Sequence, residues 1–279
     1  KRRIKTAKNI AQITKAMEMV AASKMRRAQQ RSLAGKPYSG KLRALVQNLV
    51  GRIGIEEKHP YLRERERGKV LLLVFSSDKG LCGSFNTNLF RTFLRYVGEH
   101  DEIEVVAIGK KLARPIIRSG ALLVADFPFG TTLPLFEIVL PIANLIVDSY
   151  MKEGYRSVVA LYMQFASLSK QEPVVQTILP IRQVAEMDAS ATVIPYLFEP
   201  HAEELLTSLF PHYLEMSLYQ MFLENYASEQ AARMVAMHQA SENAKEVIWE
   251  LSLTYNKARQ ERITNELLDI TTATMGLEV

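Results

Sequence analysis

The fold is decided by one uninterrupted stretch at the end of the chain, HYLEMSLYQMFLENYASEQAARMVAMHQASENAKEVIWELSLTYNKARQERITNELLDITTATM, which runs from His212 to Met275. It contains neither glycine nor proline, the two residues that most disfavour a helix interior. As one helix it would be about 95 Å long at about 1.5 Å per residue, whereas helices of globular proteins average about 11–12 residues. Pro211 stands where such a helix can begin, and Gly276 where it can stop.

Small and apolar residues recur along this stretch at alternating steps of three and four, the spacing of a coiled-coil seam. The predicted seam consists of Met234, Met237, Ser241, Ala244, Ile248, Leu251, Tyr255 and Ala258. Because Ser241 and Ala244 are small, a partner helix can approach closely at their level.

The start of the chain supplies the obvious partner helix. An apolar stripe at steps of three and four is formed there by Ile10, Ile13, Met17 and Val20. Pro37 interrupts the pattern, which resumes over Gly40–Ile53, so the first helix either breaks or continues through a kink. We expect a coiled-coil helix over residues 1–55, with Ile10, Ile13 and Val20 in its seam.

Residues 69–200 show short apolar runs that alternate with helical segments. The predicted strands are Lys69–Phe75, Glu104–Ile108, Ala121–Phe127, Ser157–Met163 and Val174–Ile178, and the predicted helices are Thr87–Val97, Lys110–Ser119 and Phe136–Lys152. This alternation is typical of a mainly parallel sheet covered on both faces. The predicted fold class is α/β: a Rossmann-like domain over 69–200, plus a long antiparallel coiled coil of the N-terminal helix with a C-terminal helix over 203–275.

Basic residues are concentrated at the start of the chain. Between Lys1 and Lys36 there are eleven Lys or Arg and one acid, Glu18, whereas the remainder carries a net charge of −5. Such a segment can face nucleic acid, anionic lipid or an acidic protein surface. It lacks the interleaved aromatic residues that stack on nucleotides, which favours a solvated or protein-facing helix over a nucleic-acid-binding coiled coil.

The loop SSDKGLCG, from Ser76 to Gly83, follows a strand and precedes a helix, where glycine-rich loops bind phosphate. Its spacing matches neither GxGxxG nor GxxxxGK[ST], so a tight structural turn is the favoured interpretation and a nucleotide-dependent enzyme is the alternative. The histidines and Cys82 lack the spacing of a metal site, and no nucleophile elbow or HExxH helix occurs. We therefore expect no catalytic residue, no cofactor and no metal.

Five motifs resemble those of one known family. ITKAMEMVAASKM at 13–25 resembles the N-terminal signature of F-type ATP synthase γ subunits, SDKGLCG at 77–83 is similar to that family's central loop, and ASEQAARMVAM at 227–237 is similar to its C-terminal signature. YNKARQ at 255–260 and ITNE at 263–266 extend the resemblance. The motifs occur in the family's order and span nearly the whole chain.

The resemblance implies a non-catalytic rotor shaft. In this family the terminal helices stand inside the ring of α and β subunits, the α/β domain docks on the c-ring beside the ε subunit, and the catalytic sites belong to β. The implied partners are therefore α, β, ε and the c-ring, with no nucleic acid and with the membrane reached only through the c-ring. The implied location is the cytoplasmic face of a bacterial membrane, or alternatively the matrix or stroma face in an organelle.

The resemblance also implies which residues touch the catalytic ring. By motif they are Met17, Arg233, Arg259, Gln260, Thr264 and Glu266. The methionines of the two terminal helices, Met17, Met19, Met25, Met234 and Met237, are open to two interpretations, as coiled-coil filler or as a flexible contact surface.

Overall fold

The computed structural model describes residues 1–53, 59–152, 154–168, 170–181 and 202–275. In chain order the elements are α1 (Arg2–Ile53), β1 (Lys69–Phe75), α2 (Phe85–Glu99), β2 (Ile103–Ile108), α3 (Lys110–Arg118), β3 (Leu122–Phe127), a 3-10 turn (Phe136–Ile138), α4 (Val139–Met151), β4 (Tyr155–Phe165), β5 (Gln171–Leu179) and α5 (Ala202–Met275). The predicted fold class is confirmed, with long terminal helices and a central, mainly parallel sheet.

Both terminal helices run through a proline. α1 continues through Pro37, so the helix does not break there. α5 runs from Ala202 to Met275, close to the predicted 203–275, and it passes through Pro211, where the sequence indicated that a helix can begin. An internal proline removes one helix hydrogen bond, but Phe210 and Leu214 on either side of Pro211 are buried in the core, and this packing holds the helix together across it.

The sheet has the strand order β3-β2-β1-β4-β5. β1 pairs in parallel with β2 and with β4, β2 pairs in parallel with β3, and β5 is antiparallel to β4. β1 is buried over all but its first residue, which explains why its sequence, KVLLLVF, is almost continuously apolar. The order reverses between β1 and β4, because the chain builds outward from β1 in one direction and then in the other.

The sheet separates two apolar layers. On one face, alternate residues of the strands pack against α2 and α3 through Leu89, Phe93, Leu112 and Ile116. On the other face, the remaining strand residues pack against α1, α4 and α5 through Ala28, Ile142, Ile146, Phe222 and Tyr226. Both layers are fully buried at their centres, as the covered parallel sheet of the prediction requires.

The chain divides into two compact units. We call them the helical unit, Lys1–Val20 with Met234–Val279, and the α/β unit, Ala21–Arg233. Within each unit α1 and α5 are antiparallel. The cross-helix contacts that show this are Glu18–His238, Ala11–Ser241 and Lys1–Tyr255 in the helical unit, and Ser32–Gln220 and Tyr38–His212 in the α/β unit. The division into functional domains at 1–55, 69–200 and 203–275 stays a prediction.

Gly109 is expected to be irreplaceable at the start of α3. Its φ is 105°, and a Cβ built on it would lie 2.3 Å from the backbone oxygen of Ser76. Gly120 has a similar φ of 87° but open space around it, so Gly120→Ala isolates the cost of backbone strain. We expect Gly109→Ala to lower the free energy of unfolding by about 4 kcal/mol or more and Gly120→Ala by about 1–2 kcal/mol, measured by chemical denaturation of the full chain. Equal losses would show that the collision with Ser76 is absorbed.

Candidate functional site

Asp78 ties the loop after β1 to the loops that follow β2 and β3. Its Oδ1 accepts hydrogen bonds from the backbone N–H groups of Lys110, at 3.0 Å, and Phe129, at 3.3 Å, and its Oδ2 accepts one from Gly130 at 2.8 Å. Lys110 is the first residue of α3, so the carboxylate also lies at the positive end of a helix. One aspartate therefore joins three loops at the carboxyl edge of the sheet.

The rest of this loop is closed by its own side chains. The Ser77 N–H donates to Asn86 Oδ1 at 3.1 Å, and Asn86 Nδ2 donates to Ser77 Oγ at 2.8 Å and to Cys82 Sγ at 3.3 Å. Burial raises the pKa of the Cys82 thiol, which keeps it protonated and a poor nucleophile. The loop therefore has the bonding of a structural turn, as the favoured sequence interpretation has it.

Arg233 of α5 fastens the long helix onto this loop. Its Nη2 lies 2.7 Å from Glu229 Oε1 and donates to the backbone oxygens of Lys79, at 3.0 Å, and Gly80, at 3.3 Å. Nε also reaches the Gly80 oxygen, at 3.4 Å. We call this set, Glu229, Arg233 and the two carbonyl groups, the clasp. A guanidinium suits it because it is planar and always charged and carries several donors in a fixed fork.

Glu229 is the one carboxylate of the clasp, and its pKa is strongly shifted. It is 3% exposed, and its Oε2 has no hydrogen-bond partner among the described residues. Burial raises its pKa to about 7, although Arg233 opposes the rise, and the charge of Asp78 adds to it. The ion pair is thus held in a place where the charged form of its acid is costly.

Two further α5 residues fix the helix to the end of β4. The Met163 N–H donates to Asn225 Oδ1 at 3.0 Å, and Ser228 Oγ donates to the Met163 oxygen at 3.1 Å. Together with the clasp, these bonds place α5 across the carboxyl ends of β1 and β4, where the strand order reverses. Ligands of open α/β sheets usually bind at that point.

The same position disfavours the nucleotide-enzyme alternative. A phosphate site presents backbone N–H groups to its anion, whereas this loop turns the oxygens of Lys79 and Gly80 toward α5. Glu229 adds a carboxyl group at the same place. The geometry favours attachment of a helix at this loop over binding of a phosphate.

Lys24 and two aromatic residues of α5 complete the attachment. Lys24 Nζ, at 2.6 Å, and the Tyr226 hydroxyl, at 3.3 Å, both donate to the backbone oxygen of Thr131. The Phe222 ring stacks on Phe129 with centroids 5.3 Å apart. Both long helices are therefore bound to the segment that follows β3, within the α/β unit.

In the helical unit, the predicted α5 stripe falls on the side that faces α1. Met237, Ser241 and Ala244 are buried, Met234, Ile248, Leu251 and Tyr255 are half-buried, and Ala258 is exposed. Ser241 Oγ donates to the Ala11 backbone oxygen at 3.5 Å, which brings a side chain of α5 directly onto the backbone of α1.

The three residues predicted for the seam of α1 are about half exposed in this chain. Ile10, Ile13 and Val20 are 49%, 59% and 55% exposed. The side of α1 that faces α5 instead carries small residues: Ala7 is buried, and Ala11 and Thr14 are half-buried. The physical reason is the close approach of the helices, because an isoleucine opposite Ser241 would hold the backbones apart.

The predicted ring contacts differ in their surroundings. Met17 is half-buried, and Arg233 is buried in the clasp, where its guanidinium bonds within the chain; their contact with the ring stays a prediction. The others, Arg259, Gln260, Thr264 and Glu266, are exposed. Thr264 Oγ1 donates to the Gln260 oxygen at 3.0 Å, and Arg262 Nε donates to Glu266 Oε1 at 2.8 Å. The clasp itself was missed, since only the fold brings Arg233 and Gly80 together.

The described residues contain no group of three His, Cys, Asp or Glu side chains that could hold a metal ion. Over the same part of the chain, no helix is both long and apolar enough to cross a membrane.

Glu229 predicts a pH dependence of stability. Between pH 4.5, its ordinary pKa, and about 7, the folded chain holds a proton that the unfolded chain releases. The resulting stabilisation is full below pH 4.5 and is lost as the pH rises to about 7, with a change of about 3 kcal/mol. We expect Glu229→Gln to remove this change, so that the unfolding free energies of the variant and the wild type diverge across the window.

The measurement is chemical denaturation of the full chain at pH values from 4.5 to 8. The matched control is Glu250→Gln, because Glu250 lies exposed on the same helix. Its profile should run parallel to that of the wild type. A Glu229→Gln profile that also ran parallel would contradict the prediction.

Comparison with known proteins gives one family. A family model described as ATP synthase matches residues 1–277. The ATP synthase gamma chain of Methylacidiphilum infernorum (isolate V4) is 42% identical over 285 residues, covering 98% of this chain and 96% of the relative. The gamma chain of Dehalococcoides mccartyi (strain CBDB1) is 43% identical over 272 residues, covering 97% and 95%.

Solved structures agree. A chain in the central stalk and c-ring structure of the Tetrahymena thermophila mitochondrial ATP synthase matches with a TM-score of 0.65 and 28% identity, over 82% of this chain and 99% of that one. A chain of the Euglena gracilis mitochondrial ATP synthase, at 17% identity and a TM-score of 0.57, covers 94% of this chain and 95% of its own length and shares the fold. This chain belongs to the ATP synthase gamma chain family.

Proposed function

We propose that this chain is the central stalk, or rotor shaft, of a proton-translocating F-type ATP synthase. It couples proton-driven rotation of the c-ring to conformational change at the catalytic β subunits for ATP synthesis, and the reverse in hydrolysis. The observation that carries the proposal is α5, a single helix of 74 residues that contributes to both compact units and is anchored by the clasp. A helix whose backbone hydrogen bonds are continuous resists bending, so it suits the transmission of torque.

The proposed partners are the α and β subunits around the terminal helices, and the ε subunit and c-ring against the α/β unit. The active sites lie on β, and this chain contributes no catalytic residue and no cofactor. We place it as a peripheral subunit at the cytoplasmic face of a bacterial membrane, supported by its bacterial relatives. The alternative is the matrix or stroma face of an organelle.

The exposed stripe on α1 is the proposed bearing surface. Ile10, Ile13 and Val20 each leave about half of the side chain exposed. Apolar side chains make no directional bonds, and each 1.4 kcal/mol of extra well depth slows escape about tenfold, so such a surface can slip. The exposed polar residues of α5, Arg259, Gln260, Thr264 and Glu266, are proposed as contacts with the catalytic ring that change with angle.

The test of the proposed function is reconstitution with the α and β subunits of the same organism. With a fluorescent tag on the α/β unit, ATP should drive stepwise rotation, and ATP hydrolysis should depend on the chain. A well-folded chain that does not join an α/β ring would overturn the proposal.

The bearing predicts a variant with altered coupling and normal stability. Ile13→Lys places a charge on an exposed position, so the free energy of unfolding should change by no more than about 0.5 kcal/mol, while proton pumping per ATP hydrolysed falls. Ala7→Lys is the matched control, because it puts the same charge into the buried seam and should cost about 2 kcal/mol or more.

The measurements are chemical denaturation of each full chain and ATP-driven pumping by the assembled enzyme in vesicles. If Ile13→Lys were as destabilising as Ala7→Lys, the seam assigned to Ala7 and Ala11 would be wrong. Unchanged pumping per ATP in Ile13→Lys would rule out the bearing.

A further inference from the structure

Two helices on one face of the sheet repeat the same surface pattern. α2 contains Arg91-Thr92-Phe93-Leu94-Arg95 and α3 contains Arg114-Pro115-Ile116-Ile117-Arg118. Each segment exposes two arginines and one aliphatic residue, which is Leu94 in α2 and Ile117 in α3. The residue before that aliphatic one, Phe93 or Ile116, is fully buried. We call the six exposed residues, Arg91, Leu94, Arg95, Arg114, Ile117 and Arg118, the α2–α3 face.

The α2–α3 face points away from the sheet as one surface. α2 and α3 share the apolar layer of Leu89, Phe93, Leu112 and Ile116, so their outer sides face the same way. The opposite side of the sheet is covered by α1, α4 and α5. Leu94 and Ile117 are 45% and 56% exposed on this side.

The positive charge of this face is not neutralised within the described part of the chain. None of its four arginines has an ion pair or a hydrogen-bonded side-chain partner there, in contrast to Arg233 and Arg262 on α5. The only acid on α2 and α3 is Glu99, at the end of α2. Lys110 and Lys111 at the start of α3 add to the charge.

From this pattern we propose that the α2–α3 face docks an acidic protein segment of another subunit of the ATP synthase, in which an apolar residue is flanked by Asp or Glu. Arginine forks bind carboxylates in a bidentate way, and arginine is enriched at protein interfaces where lysine is depleted. Leu94 and Ile117 supply the apolar centre that such an interface needs around its charged anchors.

Two other anionic partners fit this face less well. A membrane surface is usually met by exposed aromatic side chains among the basic ones, and single-stranded nucleic acid by stacking aromatics. The aromatic residues of α2, which are Phe85, Phe90, Phe93 and Tyr96, are buried or half-buried, and α3 has none. A carboxylate-bearing protein surface needs no such residues.

The experiment uses the assembled enzyme, with the photo-cross-linking residue p-benzoylphenylalanine in place of Ile117 and, as a control, in place of Leu168, which is exposed in the turn between β4 and β5. The inference rests on the proposed function only in that the partner is sought in this complex. Ile117 should cross-link to one subunit, at a segment rich in Asp and Glu, in a yield that falls as salt is raised. Leu168 should not label that segment.

Charge reversal supplies the decisive comparison. Arg114→Glu with Arg118→Glu, and independently Arg91→Glu with Arg95→Glu, should each lower the cross-linking yield by about tenfold or more. Lys36→Glu with Lys41→Glu makes the same charge change on exposed α1 residues and should leave the yield unchanged. Unaltered thermal unfolding of each full chain excludes a folding defect.

Each other outcome overturns the inference. Cross-links to phospholipid or to a segment without acids would assign the face to a different partner, and equal yields in all variants would remove the arginines from the contact. Rotation of the same complexes is measured in parallel. Rotation without the predicted cross-link would defeat only this inference, whereas a wild-type complex that assembles without rotating would defeat the proposed function.

Discussion

The buried pair of Arg233 and Glu229 is the interaction on which the rest of the α/β unit depends. Taking two charges out of water is costly, and a buried pair is tolerated only where its remaining groups are also satisfied. Here the guanidinium is satisfied by the oxygens of Lys79 and Gly80, whereas Glu229 Oε2 has no hydrogen-bond partner among the described residues. The loop after β1, with Leu81 and Gly83 at positive φ, presents these two oxygens to α5. The position of the long helix and the shape of the loop are set together.

This attachment explains how a nucleotide-binding architecture can serve another purpose. The crevice at the reversal of strand order is where an open α/β sheet ordinarily holds its ligand. In this chain α5 lies there, bonded to the end of β4 through Asn225 and Ser228 and to the loop after β1 through Arg233. Function is carried by what occupies a fold's sites and not by the fold itself. The crevice therefore holds a helix of the same chain.

The parts of the structure that sequence predicts well are those set by local pattern. Continuous apolar runs located β1, β2 and β4, because these parallel strands are buried on both faces, and the lack of helix breakers after Pro211 located α5. Pro211 does not mark the start of α5, because the buried Phe210 and Leu214 supply tertiary packing that outweighs the low helix propensity of proline. The seam of α1 was predicted from the positions of its large apolar residues, whereas the residues that pack there are small. Ala7, Ala11, Thr14 and Ala21 keep steps of four, three and seven, but small residues draw less attention than isoleucines. The clasp was out of reach, because its members are 153 and 154 residues apart.

The distribution of side-chain size on α1 also bears on mechanism. A helix pair that had only to be stable would bury its isoleucines and expose its alanines, since burial of apolar area is the main source of stability. α1 does the opposite in the helical unit, with Ala7 inside and Ile13 outside. The seam thereby gives up apolar burial and gains close backbone approach, which is the packing that makes a pair of helices thin. The large apolar residues that remain outside supply the bearing surface proposed above. In that proposal, a thin, close-packed pair of helices with apolar side chains on its outside can turn inside a ring without being held at any one angle.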